Sequence, residues 1–84
     1  MKLTDAQAFC LAYLAEHGDS TWVTLRDAGG DDFHKLVVEG AMVALAGYKL
    51  VGSIKTDNGF HFRITDTGRQ ALRDHREGMS AWRF

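Results

Sequence analysis

The chain has 84 residues, of which 45% are hydrophobic and 25% are charged, and its formal net charge is −1. These values are ordinary for one small globular domain and exclude a chain that is mostly disordered. There is no apolar run near the ~20 residues that cross a bilayer, no signal-peptide-like N-terminus, and only one cysteine, Cys10. We therefore expect a cytoplasmic domain that packing alone stabilises.

Charge is unevenly divided along the chain. Residues 1–48 contain three Lys or Arg against seven Asp or Glu, giving −4, whereas residues 49–84 contain seven against four, giving +3. A chain divided in this way can present a basic surface to a partner while it remains nearly neutral overall. Chance division in a short chain is the alternative interpretation.

The first predicted element is a helix. Thr4 and Gln7 have the spacing of a capping box, and the Ala- and Leu-rich residues that follow contain no Gly or Pro before Gly18. This pattern predicts a helix over residues 6–17 with Gly18 just beyond its end. Its predicted apolar stripe comprises Phe9, Cys10, Tyr13 and Leu14.

A short strand and a second long helix are predicted next. Residues 21–25 are β-branched and aromatic, which favours a strand, and residues 26–28 can add one helical turn before Gly29 and Gly30. Asp31 or Asp32 is expected to cap the long helix and Gly47 to end it, unless Gly40 divides it in two. Three- and four-residue spacing predicts a buried stripe of Phe33, Leu36, Val37, Gly40, Ala41, Ala44 and Tyr48.

Residues 50–56 and 60–65 predict a β-hairpin around residues 57–59. A three-residue loop with Gly59 in the left-handed region sets Ile54 against Phe62, and it places Lys55 and Arg63 together on the outer face. A two-residue turn at 58–59 mixes apolar and charged residues on both faces, so we prefer the first register.

Thr65 is expected to cap a last helix over residues 66–77, which Gly78 would end, leaving residues 79–84 as a tail. The predicted core of the domain comprises Phe9, Cys10, Leu14, Phe33, Leu36, Val37, Leu45, Leu50, Ile54, Phe62, Ile64 and Leu72.

Two segments resemble a known family. Residues 45–51, in which Leu45 and Gly47 precede a Leu-Val pair, resemble the exit from the recognition helix of winged helix-turn-helix domains. Residues 62–72, in which Thr65, Gly68 and Arg69 follow an aromatic strand, are similar to the segment that ends MarR- and PadR-type domains. The resemblance covers residues 4–77. It implies an α+β winged helix-turn-helix domain over residues 1–78, with a three-helix core, a two- or three-stranded wing and a C-terminal helix.

The resemblance also implies a transcription regulator whose partner is double-stranded DNA. The helix over residues 31–46 would then enter the major groove, although the expected run of polar and basic residues is missing from it and the preceding helix is abbreviated. We therefore expect contacts to backbone phosphates in place of base reading. The candidate nucleic-acid-binding residues are Lys35, Lys55, His61, Arg63, Arg69 and Arg73.

A protein-interaction module on the same fold, for example an inhibitor encoded by a phage or mobile element, is the alternative. Val38 and Met42 lie one helical turn apart on the face that is predicted to be exposed, and Trp82 and Phe84 add apolar area in the tail. The tail could instead cover this helix, or the helix could form a symmetric homodimer contact.

We expect no enzyme, cofactor or metal site. The four histidines lack the spacing of a zinc site, and there is no Gly-rich phosphate loop. Cys10 lies among apolar residues of the first helix, which favours a packed small hydrophobic residue over a nucleophile.

Overall fold

The computed structural model describes residues 2–30, 32–57 and 59–81, with side chains described as far as residue 78. Four helices and a three-stranded antiparallel sheet with strand order β1-β3-β2 make up the fold. The elements in chain order are α1 (Asp5–His17), β1 (Ser20–Thr21), α2 (Trp22–Gly29), α3 (Lys35–Gly47), β2 (Val51–Thr56), β3 (Gly59–Ile64) and α4 (Asp66–Ala81). Within the described ranges, no helix is both long and apolar enough to span a membrane.

Helix α1 begins and ends as its sequence predicts. The Thr4 side chain accepts a hydrogen bond from the Gln7 amide at 3.2 Å, and the Gln7 side chain accepts one from the Thr4 amide at 3.1 Å. Gly18 follows the helix with a φ of 83°, and its amide donates to the Leu14 carbonyl. Because α1 packs against both α3 and α4, its buried residues form the centre of the core.

The predicted strand over residues 21–25 is wrong beyond Thr21. Only Ser20 and Thr21 form a strand, and they pair with β3. The Thr21 hydroxyl accepts a hydrogen bond from the Thr24 amide at 3.2 Å, so Thr21 caps α2. The helix buries Leu25 completely, and this packing overrides the β propensity of the segment.

Helix α3 is continuous through Gly40, which excludes the two-helix alternative. Its cap is His34, whose Nδ1 accepts a hydrogen bond from the Leu36 amide at 3.1 Å. Asp32 therefore does not cap the helix, and the other candidate, Asp31, lies outside the described residues.

The predicted buried stripe of α3 is largely on the wrong side of the helix. Leu36 and Val37 are 63% and 49% exposed, and Tyr48, just beyond the helix, is 55% exposed. The second apolar stripe has the same helical spacing and packs inward, so the periodicity alone did not distinguish the two. The residues on the inner side are Val38, Ala41, Met42 and Leu45.

Helix α3 ends at Gly47 as predicted, but the left-handed residue that closes it is Lys49, with a φ of 62°. The Lys49 amide donates to the Ala46 carbonyl at 3.1 Å, and the Leu50 amide donates to the Leu45 carbonyl at 2.9 Å. These two bonds form a Schellman motif, in which glycine is the commonest residue at the left-handed position.

The hairpin register differs by one residue from the prediction. Ser53 pairs with Phe62 and Ile54 pairs with His61, so only residues 57 and 58 connect the strands. Hydrophobic sorting did not decide the register because only the base of the hairpin is buried, at Val51 and Ile64. The consequence for the wing is that Lys55 and Arg63 lie on opposite faces of the sheet.

Helix α4 starts where Thr65 caps it and continues through Gly78 to Ala81, so the predicted end at Gly78 is wrong. The Thr65 hydroxyl donates to the Lys49 carbonyl at 2.8 Å and accepts from the Gly68 amide at 3.0 Å. A Cβ at Gly68 would collide with the Leu50 carbonyl oxygen, so the close approach of α4 to Leu50, just before β2, requires glycine.

Burial confirms much of the predicted core. Ile54 is half-buried on the other face of the sheet, and Leu36 and Val37 are not part of the core at all. The predicted residues that are buried are Cys10, Leu14, Leu45, Leu50, Ile64 and Leu72. Those that pack against them half-buried are Phe9, Phe33 and Phe62.

Because Lys49 adopts a left-handed conformation, a substitution at this position can stabilise the fold. We expect Lys49→Gly to raise the free energy of unfolding by about 1 kcal/mol, because the Cβ of an L-residue is strained at positive φ. Lys49→Ala keeps the Cβ and is expected to give no gain. Urea denaturation of the three proteins checks this, and an equal gain from alanine would contradict the explanation.

Candidate functional site

The outward side of α3 carries an exposed apolar stripe. Leu36, Gly40, Val43 and Gly47 recur at steps of four, three and four residues, which places them on one face of the helix. We call this set the outward α3 face. Leu36 is 63% exposed and Val43 is 68% exposed, so both project into solvent.

Few groups on the outward side of α3 can recognise a base. Lys35 stands at the start of the helix and is exposed, and Glu39 is exposed beside the stripe. The helix contains no Arg, Asn or Gln, which are the side chains that pair with base edges in the major groove. The face is therefore mainly apolar and offers few groups for base recognition.

The protein-interface residues predicted on α3 are wrong. Val38 is fully buried and Met42 is 3% exposed, because both lie on the inner side of the helix. Trp82 and Phe84 lie outside the described residues. Sequence reasoning missed Val43, and the available signal was that residues 38, 41, 42 and 45 form a second apolar stripe with helical spacing.

An apolar groove adjoins the outward α3 face. It has a volume of about 300 Å³ and lies between α3, the start of α2 and strand β3. Val43 belongs to both surfaces, and the nearby Phe60 is 59% exposed on the sheet face that also carries Phe62. The groove is lined by Trp22, Glu39, Met42, Val43, Ala46 and Phe62.

The wing does not gather its cations on one face. Arg63 donates to Asp19 in a two-pronged ion pair, with 2.9 Å between Nη2 and Oδ2 and 3.2 Å between Nε and Oδ1. The hydrogen bonds and charge of Arg63 lower the pKa of Asp19, and the same contact raises the pKa of Arg63. Lys55 is exposed on the opposite face, so the predicted common phosphate-binding face of Lys55 and Arg63 is wrong.

His61 is half-buried between β1 and β2, opposite Thr21 and Ile54. Its Nε2 is enclosed and has no hydrogen-bond partner among the described residues. It lies on the sheet face of Arg63, away from Lys55, so the predicted grouping of the three residues is not observed.

A second, basic groove lies between α1 and α4. Arg69, Arg73 and Arg76 are spaced by four and three residues on the exposed side of α4. The groove has a volume of about 420 Å³ and shares no lining residue with the apolar groove beside α3. Its remaining lining residues are Ala15, Leu72 and Glu77.

Neither a metal-binding cluster nor a reactive thiol is found among the described residues. No group of three His, Cys, Asp or Glu among them is placed to hold a metal ion. Burial raises the pKa of the Cys10 thiol to about 11, so the thiol stays protonated and unreactive at neutral pH. The side chain packs in the core as predicted.

No protein-family model and no curated protein matches the chain, but several solved structures do. The YusO protein of Bacillus subtilis matches 94% of this chain with a TM-score of 0.82 and 21% identity, over 57% of its own length. BpsR of Bordetella bronchiseptica, whose DNA binding is regulated by 6-hydroxynicotinic acid, matches 95% of this chain over 61% of its own length. Its TM-score is 0.79 and its sequence identity is 22%. NMB1585, a MarR family regulator from Neisseria meningitidis, matches 95% of this chain over 57% of its own length, with a TM-score of 0.71 and 20% sequence identity.

These matches establish the fold. The chain has an α+β winged helix-turn-helix fold, as the resemblance of its sequence implies, with the β2–β3 hairpin as the wing. It spans roughly three-fifths of the length of the solved structures that it matches. Regulators with this fold are its structural neighbours, while its function follows from its own surface.

The orientation of α3 leads to opposite expectations for two valines five residues apart. Val38→Asp places a carboxylate in the core and is expected to lower the free energy of unfolding by about 3 kcal/mol or more. Val43→Asp places the same group in solvent, so we expect a change near zero. Thermal unfolding followed by circular dichroism, at a protein concentration low enough for the chain to be monomeric, checks this. Equal losses for the two variants would contradict the orientation of α3.

The ion pair between Arg63 and Asp19 predicts how the stability of the fold changes at acid pH. Because the pKa of Asp19 is lowered in the folded chain, the pair adds stability above the unfolded pKa near 3.9 and loses it as the pH falls through the folded value. Asp19→Asn is therefore expected to be less stable than the wild type at pH 7, with the difference vanishing near pH 2. The effect is small because both side chains are largely exposed.

Urea denaturation at the two pH values measures this difference. Asp32→Asn, an exposed substitution outside the ion pair, is the control. If the difference in the free energy of unfolding between wild type and Asp19→Asn persists unchanged at the acid pH, the role of the charge is contradicted.

Proposed function

We propose that this chain is a winged-helix module that binds protein through the outward α3 face and does not use that face to read DNA bases. The observation that carries the proposal is the exposure of Leu36 and Val43, 63% and 68%, on the recognition helix. In winged-helix DNA readers this is the face that is expected to carry polar and basic groups.

Solvation supports the choice of partner. Fully burying a Leu or Val side chain stabilises a complex by about 1.5–3 kcal/mol, so an exposed apolar stripe gains most against another apolar surface. In a DNA groove the same stripe would gain no hydrogen bonds, and the Glu39 carboxylate would lie close to phosphates. The apolar groove next to Val43 extends the surface that a protein partner can cover.

Binding to DNA phosphates is a second candidate function, favoured by the basic groove and by the fold. Three exposed arginines at positions 69, 73 and 76 share one groove, and structural neighbours include a regulator whose DNA binding is itself regulated. Lys35 and Lys55 are exposed and can add phosphate contacts elsewhere on the molecule. Contacts of this kind give salt-dependent affinity without sequence preference.

A DNA-binding assay on two variants, one altered in the basic groove and one in the outward α3 face, separates these functions. We measure binding to a random DNA duplex at about 50 and 200 mM salt, where each lost phosphate contact flattens the logarithmic salt dependence by about one unit. Arg69→Glu combined with Arg73→Glu is expected to abolish any such binding. Val43→Glu is expected to leave DNA binding within twofold of wild type, because the outward α3 face does not contact the duplex.

Photo-crosslinking tests the protein partner directly. A benzoylphenylalanine in place of Val43, in cells that express the full chain, is expected to give protein adducts, and the same group in place of the exposed Glu16 on α1 is the matched control. Crosslinks from position 43 to DNA, or loss of duplex binding in Val43→Glu, would contradict the proposal.

A further inference from the structure

Large and small residues alternate along the outward α3 face. Leu36 and Val43 project into solvent, whereas a Cβ added at Gly40 or Gly47 would meet no atom within 4 Å. The face therefore has two apolar knobs and, beside each of them, a hole where a partner can approach the helix backbone.

The spacing of the knobs and holes is self-complementary. If two copies of α3 lie antiparallel with their crossing point between residues 41 and 42, Leu36 comes opposite the partner's Gly47. Val43 then comes opposite the partner's Gly40, and the two-fold axis repeats both contacts. A parallel pair in register would instead set Leu36 against the partner's Leu36 and leave the glycines facing each other.

We propose that a second copy of this chain occupies the outward α3 face, in an antiparallel α3–α3 dimer. The inference rests on the proposed protein-binding function and names its partner. Glycines at the crossing let the two backbones come closer than larger side chains would allow, so that each knob fills the hole beside it.

Charge at the helix ends favours the same arrangement. Asp32 is exposed before the start of α3, and Lys49 is exposed just after its end. In this register Lys49 of one copy lies level with the partner's His34, near the partner's Asp32 and also near the partner's Lys35, so these side-chain charges balance. The favourable contribution comes from the two helix dipoles, which antiparallel pairing opposes. Lys35 and Glu39 beside the stripe have opposite signs, so the covered surface carries no net charge.

The size of the surface sets the strength of the dimer. A 13-residue helix is about 20 Å long, and one helix pair covers less than the ~800 Å² per partner of a typical stable complex. The apolar groove that includes Val43 adds area at the edge. The dimer is therefore reversible and concentration-dependent.

Sedimentation equilibrium over a range of concentrations measures the association. The average mass of the wild type is expected to rise from 9.3 kDa towards twice that value. Gly40→Val fills the hole opposite the partner's Val43 and is expected to weaken association tenfold or more. The monomer tolerates the change, because the space above Gly40 is open and valine favours the helix over glycine.

A swap of the two residues tests complementarity itself. Gly40→Val combined with Val43→Gly exchanges knob and hole with the same composition, and it is expected to restore association to within a few fold of wild type. Gly78→Val on α4 adds the same side chain at another open position and is expected to have no effect.

Three outcomes would overturn the dimer: a wild type that stays monomeric, a Gly40→Val variant that associates more tightly, or a swap that fails to recover. The photo-crosslinking experiment at position 43 then tests the proposed protein-binding function separately from the dimer. An adduct with a different protein retains protein binding without the dimer, whereas the absence of any protein adduct removes both.

Discussion

Val38 packs against the end of α2 at Gly29, and the character of the molecular surface depends on this contact. A Cβ at Gly29 would lie 3.2 Å from Val38 Cγ2, which is a tight contact, so glycine lets the two helices pack closely at this point. With Val38 fully buried, the fixed rotation of about 100° per residue turns residues 36, 40, 43 and 47 outward. The packing of α2 on α3 thereby determines which of two apolar stripes is left exposed to solvent.

The resulting molecule combines a winged helix-turn-helix fold with an exposed apolar stripe on α3. Its wing contains Arg63, but that side chain is paired with Asp19, while Arg69, Arg73 and Arg76 of α4 line a groove beside α1. The surface around α3 contains exposed leucine and valine, two glycines and an apolar groove. A shared fold therefore leaves the partner open.

Local signals predicted the elements that they control directly. The capping box at Thr4 and Gln7 and the cap at Thr65 fixed the starts of α1 and α4, because each depends on hydrogen bonds between near neighbours. The rotation of α3 was not predictable in this way, since both sides of the helix are apolar with helical spacing. The same holds for Thr21, whose hydroxyl caps a helix where β propensity favoured a strand.

The candidate site was predicted less well than the fold for the same reason. Choosing the wrong stripe on α3 exchanged the exposed residues for the buried ones, so that Val38 and Met42 replaced Leu36 and Val43 as the expected contacts. The prediction of the hairpin register failed because the tip of the hairpin is exposed, and no burial forces apolar residues to one side.

Solvent relaxation of methyl protons, measured with a soluble gadolinium chelate at a concentration where the chain is monomeric, tests the orientation of α3 most directly. We expect strong relaxation of the Leu36 and Val43 methyl groups and protection of those of Val38 and Met42, and the reverse pattern would contradict the account.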